Sequence, residues 1–285
     1  MGVEAESELA AREQRIYSEL PVPKAVAVMV IPTIISQIIT VIYNLADTWY
    51  VGLTGNAATV AAISLCLPVY NIMTAFANLF GIGGASVVTR AVGGEHPHRA
   101  QRAFAIAVWG ALIAAAVYSL LLAVFARPFL LAIGGDAENI GFAVWYTRIT
   151  IVIGGVPTIL SAVLAHLIRS TGQSKTASYG IALGAVLNMV LDPLFMFVLL
   201  PKGNEVIGAA IATAISNSTA LGYFLRYVFR NRKIPVFRFS LKGHPVKSLR
   251  ITALDILKCG VPSFFLLAAG QVSNFFLNGR FFRDH

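Results

Sequence analysis

Apolar residues fill seven long stretches of the chain, and short breaks rich in glycine, proline or charge separate them. A helix needs about 20 apolar residues to cross a bilayer, and each stretch is long enough. The pattern therefore predicts an all-α polytopic membrane protein with seven transmembrane helices. The predicted segments are 25–51, 59–89, 103–126, 142–168, 176–200, 206–229 and 252–278.

Composition agrees with this prediction and excludes several other classes of protein. Hydrophobic residues make up 57% of the 285 positions and charged residues only 12%, whereas a soluble domain carries about 25% charged residues. These values exclude a soluble enzyme domain, a disordered chain and a disulfide scaffold. Cys66 and Cys259 lack the spacing of a metal site. Catalytic motifs are also absent, so we expect neither an enzyme nor a bound cofactor.

The basic residues predict how the chain is oriented in the membrane. Lys and Arg outnumber Asp and Glu by 22 to 13, and they concentrate in the even-numbered loops, above all in 231–251. Because Lys and Arg mark cytoplasmic loops, we expect these loops and the N-terminal segment 1–24 to be cytoplasmic. This pattern predicts a multi-pass protein of the cytoplasmic (inner) membrane and no nucleic-acid binding. Contact of the basic loop with anionic lipid is the lesser alternative.

The first apolar segment has one polar face. At 100° per residue, its polar side chains fall within one sector, while isoleucine, leucine and valine cover the opposite side. A helix that faces only lipid has no reason for such a stripe, so we expect this face to line a wet cavity. Hydrogen bonding to a neighbouring helix is the alternative. The face contains Thr33, Ser36, Thr40, Tyr43, Asn44 and Asp47.

A second polar group lies in the fifth and sixth segments. Asn188 and Asp192 are four residues apart, so a helix places them on the same side. Pro193 lacks an N–H and should kink this helix, which leaves the carbonyl of Met189 without its usual partner. Thr213 adds a hydroxyl on the next segment. Such hard oxygen ligands suit a small cation or a proton.

A weak internal repeat relates the first and seventh segments. Pro32 and Asn44 recur as Pro262 and Asn274, both at an offset of 230 residues. Duplicated helix bundles are common among transporters, and the substrate then binds between the copies. A complete duplication would need about 460 residues, so we expect most of a second copy to lie outside this sequence.

Several short motifs, taken together, resemble the multidrug and toxic compound extrusion (MATE) family. The residues of the first two segments are most similar to its bacterial multidrug export branch. They follow the order of six helices of a first MATE lobe, which makes the combination specific. The motifs are Ile31-Pro32 through Asp47-Thr-Trp-Tyr-Val-Gly52, Gly81–Gly94 with Arg90, Tyr146-Thr-Arg148, Leu167-Ile-Arg-Ser-Thr-Gly172, Asn188–Asp192-Pro193 and Gly208-Ala-Ala-Ile-Ala-Thr213.

The resemblance implies the fold and its division into regions. It implies a six-helix MATE-type lobe over 25–230, the basic cytoplasmic loop over 231–251, and the first helix of a truncated second lobe over 252–285. Transport by this family relies on two lobes, so we expect the missing lobe or a second copy of the chain to be needed.

The resemblance also implies a function and a site. It implies an antiporter that exports organic cations and drugs in exchange for Na⁺ or H⁺, which leaves the coupling ion open. The family's cation site corresponds here to Asp47, Asn188, Asp192 and Thr213. The expected drug-lining residues are Ser36, Thr40, Tyr43, Asn44, Met73, Phe76 and Met189.

Two alternatives remain at this point. A flippase for a lipid-linked precursor, from the same superfamily, would need basic residues in the cavity to meet phosphates. A non-transporting membrane subunit would need no substrate at all.

Overall fold

The computed structural model describes residues 21–55, 57–136, 140–201, 203–241 and 243–281. The N-terminal segment predicted to be cytoplasmic lies almost wholly outside these residues. Every regular element within them is helical, which confirms the predicted fold class. Eight α-helices follow one another: α1 Val22–Leu53, α2 Ala57–Gly93, α3 Pro97–Ala132, α4 Ile140–Thr147, α5 Gly155–Ser170, α6 Ser174–Pro193, α7 Glu205–Arg230 and α8 Val246–Phe281.

Six of the described helices are individually long and apolar enough to cross a membrane. Helices α4 and α5 are bent by 50° relative to each other and make a seventh span if the pair crosses as one. The bend follows a π-helical turn over Arg148–Ile153, where Gly154 N–H donates to the carbonyl of Ile149 at 3.0 Å. Pro157 stands in the first turn of α5, where its missing N–H is tolerated. The sequence reading predicted one unbroken segment here.

The predicted disturbance at Pro193 is present. Helix α6 ends at this residue and continues as a π-helical segment over Leu194–Leu199. Proline cannot donate to the preceding turn, so the regular hydrogen-bond pattern cannot pass through it. The last helix, in contrast, begins at Val246, ahead of the predicted start at 252.

Glycines bring α2 and α8 into close contact. A Cβ added at Gly83 would lie 2.3 Å from the carbonyl oxygen of Ile256, and one at Gly260 would lie 2.0 Å from that of Leu79. Neither position can hold a side chain without moving the helices apart. The glycine-rich run 81–86 therefore serves helix packing, as its position inside an apolar segment indicates.

The loop between α7 and α8 is anchored by aromatic side chains. Its short 3₁₀ turn, Pro235–Phe237, buries Phe237 against Phe104 and Tyr227, with ring centroids 5.6 and 5.7 Å apart. Trp109 Nε1 donates to the carbonyl of Phe239 at 3.0 Å. The sequence reading treated this loop only as a basic connection and missed its buried aromatic part.

Candidate functional site

Helix α1 presents its polar face to the protein and its aliphatic face outward. Ser36 is buried and Asp47 is half-buried. On the opposite side, Ile35 and Ile38 are each 53% exposed and Leu45 is 67% exposed. In a membrane protein such exposed aliphatic side chains suit contact with lipid. The two faces agree with the helical-wheel prediction.

Asn188 joins Asp192 on α6 to Thr213 on α7. Asp192 is completely buried, and the Asn188 side chain is 3% exposed. In the amide orientation that satisfies both of its ends, the Asn188 nitrogen donates to Asp192 Oδ2 at 2.8 Å. The amide oxygen then accepts from Thr213 N–H at 3.2 Å. The same amide also lies 3.4 Å from Thr213 Oγ1.

Asp47 lies close enough to this group to interact with it electrostatically. Its carboxylate interacts with that of Asp192 and with the hydroxyl groups of Tyr43, Tyr70 and Tyr146. Hydrogen bonds thus link Asn188, Asp192 and Thr213, and Asp47 lies within electrostatic range of Asp192. We call Asp47, Asn188, Asp192 and Thr213 the carboxylate cluster.

The two carboxylates of the cluster have no basic partner among the described residues. Arg99 and Asp255 do form an ion pair at 3.1 Å within the described residues. It lies on an exposed surface, and both residues are well separated in sequence from the cluster. No group of three or more His, Cys, Asp and Glu side chains that could hold a metal occurs in the described ranges. Two acidic groups with amide and hydroxyl neighbours instead suit a proton or a monovalent cation.

A cavity of about 350 Å³ lies between α1, α2, α5, α6 and α7. Two cluster residues, Asn188 and Thr213, form part of its wall, whereas Asp47 and Asp192 do not. Tyr43 and Tyr70, which interact with Asp47, also line the cavity, whereas Tyr146 does not. Of the residues predicted to contact a drug, the cavity wall includes Thr40, Tyr43 and Met73.

The other predicted lining residues lie elsewhere. Ser36 is buried and donates to the carbonyl of Thr33 at 2.9 Å. Asn44 is exposed on α1, and Met189 is half-buried on α6 outside the cavity wall. The Phe76 ring packs against two other aromatic rings, 5.2 and 5.7 Å away between centroids. A polar or apolar residue on the correct helix face can still lie too high, too low or too far round to reach the cavity.

The cavity also contains polar residues that the sequence reading did not propose as ligand contacts. Asn217 Nδ2 donates to Thr158 Oγ1 at 2.8 Å, which links α7 to α5. Ser216 is 2% exposed, and its hydroxyl has no hydrogen-bond partner among the described residues. Asn217 follows Thr213 by four residues, so the helical period places both on one face of α7.

Two basic residues of α5, His166 and Arg169, line the same cavity. The predicted fourth segment, 142–168, contains His166 and ends one residue before Arg169. Both belong to the helix, which continues to Ser170. The His166 ring lies against α2, where a Cβ added at Gly81 would come within 2.9 Å of it.

Comparison with known proteins identifies related sequences over most of this chain. Residues 32–194 match the MatE family model. Multidrug export protein MepA of Staphylococcus haemolyticus (strain JCSC1435) is 30% identical over 274 residues, which cover 93% of this chain and 58% of that protein. The protein of the same name from Staphylococcus saprophyticus subsp. saprophyticus is 29% identical over 253 residues, covering 87% and 54% respectively.

Solved structures agree with the sequence relatives. An outward-facing structure of a multidrug resistance MATE family transporter of the MOP superfamily superimposes with a TM-score of 0.81 at 26% identity. The match covers 94% of this chain and 57% of that one. The chain therefore spans between half and two thirds of the length of the relatives that it matches, and it is a multi-pass helical membrane protein like them.

Proposed function

Because this chain belongs to the MatE family, we propose that it forms one lobe of a multidrug efflux transporter that exchanges organic cations for Na⁺ or H⁺. A cation-coupled transporter needs a cavity for its ligand and a group that can bind a cation. Both features fit a transporter better than an enzyme. The observation that carries the proposal is the carboxylate cluster, which lies directly beside a cavity of about 350 Å³. Cavities of roughly 300–1,000 Å³ hold drug-sized molecules.

The carboxylate cluster needs a positive partner. A buried carboxylate within a membrane-spanning helix is costly unless it is neutralised, by roughly 2.5–3.5 kcal/mol on insertion scales. No described basic side chain pairs with Asp47 or Asp192. A proton, a sodium ion or an organic cation could each supply the missing charge, and these three would therefore compete.

This competition gives a simple exchange mechanism. A proton or Na⁺ entering from outside reduces the negative charge of the Asp47 and Asp192 pair by one, which weakens the attraction that holds an organic cation in the cavity. The hydrogen bond from Asn188 keeps the Asp192 carboxylate facing Thr213 while the charge changes. Neutralisation also changes the interaction between α1 and α6, which pack on each other. We propose that α1 adjusts its position in response and that the ligand leaves.

Alternating access requires two lobes that rock against each other around the site. We propose that the described helices act together with a second lobe, from a longer polypeptide or from a second copy of the chain. The even-numbered basic loops favour a cytoplasmic N-terminus in the cytoplasmic membrane.

Dye export tests the proposal. In cells lacking their own efflux pumps, the complete protein with Asp192→Asn should no longer export ethidium, because the substituted amide cannot bind a proton or Na⁺ as a carboxylate does. Asp255→Asn is the matched control, since Asp255 is an acid of a membrane helix that is partly exposed and paired with Arg99. It should export normally. Normal export by the Asp192 variant, at equal membrane abundance, would refute the assignment.

The alternative of a lipid-linked flippase requires basic residues in the cavity, and Arg169 and His166 meet that requirement. The basic residues also share the cavity with Asn188 and Thr213 of the carboxylate cluster.

A further inference from the structure

Arg169 is a cavity residue without a partner. It stands in the last turn of α5 and lines the cavity. Its Nε is buried and makes no hydrogen bond, and no described acid lies within ion-pair distance of the side chain. The side chain as a whole is half-buried. A guanidinium that faces a cavity can bind an anion through its N–H donors.

His166 adds a second donor beside Arg169. It lies one turn earlier on the same helix and lines the same cavity. A neutral imidazole donates one N–H, and a guanidinium donates several. The cavity wall also includes the apolar residues Ala77, Ile181 and Phe224.

The cavity is long enough to separate two charges of a ligand. Asn217 pairs with Thr158 on α5, and Arg169 lies eleven residues further along that helix. This spacing corresponds to about 16 Å of helix. Helical side chains lean toward the N-terminus of their helix, so the guanidinium leans back along the cavity. A ligand with charges on the order of 10 Å apart could thus reach both ends.

We propose that Arg169, assisted by His166, forms an anion subsite that binds the carboxylate of zwitterionic ligands. The inference rests on the proposed function, in which the carboxylate cluster attracts the positive end of the same ligand. A guanidinium binds a carboxylate through two parallel hydrogen bonds, and these are strong where water is excluded. The buried hydroxyl of Ser216, which has no partner in the described structure, supplies a further donor along the cavity wall.

A matched pair of dyes tests this subsite. Rhodamine 110 is a zwitterion with a free carboxylate, and rhodamine 123 is its methyl ester, a plain cation. Binding of each dye to the full chain in nanodiscs is measured by fluorescence anisotropy, with empty nanodiscs subtracted. Arg169→Gln should weaken rhodamine 110 binding by about tenfold or more and leave rhodamine 123 binding within about twofold.

Two further variants separate charge from structure. Arg169→Lys keeps the positive charge but loses the paired N–H geometry, so its rhodamine 110 affinity should fall between those of Arg169→Gln and the unmodified chain. Arg226→Gln removes an exposed arginine from α7 and should change neither dye. Equal weakening of both dyes by Arg169→Gln, or no weakening of either, would overturn the subsite.

The unmodified chain provides a test that does not depend on folding of a variant. Benzoate should displace rhodamine 110 at concentrations that leave rhodamine 123 bound, and equal displacement of both dyes would contradict the proposal. Asp192→Asn should weaken rhodamine 123 binding. If Asp192→Asn weakens rhodamine 123 binding but Arg169→Gln leaves rhodamine 110 binding unchanged, the anion subsite is refuted and the proposed function stands. If Asp192→Asn leaves rhodamine 123 binding unchanged, the proposed function itself is refuted.

Discussion

The contact between α2 and α8 gives a quantitative prediction for Gly260→Ala. The added Cβ would lie 2.0 Å from the carbonyl oxygen of Leu79, in the backbone of α2. Non-bonded heavy atoms prefer about 3.5–4.0 Å, so the helices would have to separate locally by roughly 1.5 Å. Overpacking of this kind costs about 1–3 kcal/mol.

The measurement is thermal unfolding of the purified chain with Cys259→Ser as background, followed with a thiol-reactive fluorescent dye that then reports exposure of the buried Cys66. At about 2–4 °C per kcal/mol, Gly260→Ala should lower the unfolding temperature by several degrees. Gly222→Ala is the control, because nothing lies within 4 Å of the corresponding Cβ on α7. Its intrinsic helix propensity should leave stability equal or slightly higher. If the two variants unfold at the same temperature, the close contact between α2 and α8 does not contribute as inferred.

Three further outcomes are expected. Phe237→Ala removes a fully buried ring, so it should destabilise the chain by about 3–5 kcal/mol and accelerate tryptic cleavage after Lys233; unchanged cleavage would show that the ring does not anchor the loop. Arg99→Ala breaks an exposed ion pair with Asp255 and should change stability by no more than about 1 kcal/mol, so a larger drop in the unfolding temperature would contradict a surface role. Ala220→Phe places a ring in the buried cavity wall and should abolish dye binding, while overpacking lowers the unfolding temperature by several degrees; full binding by the folded variant would show that ligands use another site.

The apolar membrane-spanning helices could be predicted from the sequence because each depends on a local property. A run of apolar residues either is or is not long enough to cross a bilayer, whatever its neighbours do. The disturbance at Pro193 is local for the same reason, since the missing N–H belongs to that residue. The 50° bend between α4 and α5 was not predicted. Its π-helical turn lies in an apolar run that gives no sign of a break apart from Gly154 and Pro157.

Part of the candidate site could be predicted from the sequence, and part depends on how the helices pack. The shared helix face of Asn188 and Asp192 follows from their spacing, and their hydrogen bond is present. Their proximity to Thr213 and Asp47 depends on how three helices pack, and the sequence indicated it only through family resemblance. Arg169 was missed as a cavity residue because a basic residue near a predicted helix end is also typical of a loop. Only the packing of α5 against its neighbours shows that it lines the cavity.

The amino-acid pattern alone thus decides that the chain is helical, that it spans a membrane and which face of α1 is polar. These features depend on side-chain solvation and on the 3.6-residue helical period, both of which operate within one segment. Tertiary structure decides which polar side chains meet and where a cavity remains. Those outcomes depend on how closely helices approach, and a pair such as Gly83 and Gly260, far apart in the sequence, sets that distance because neither residue has a side chain.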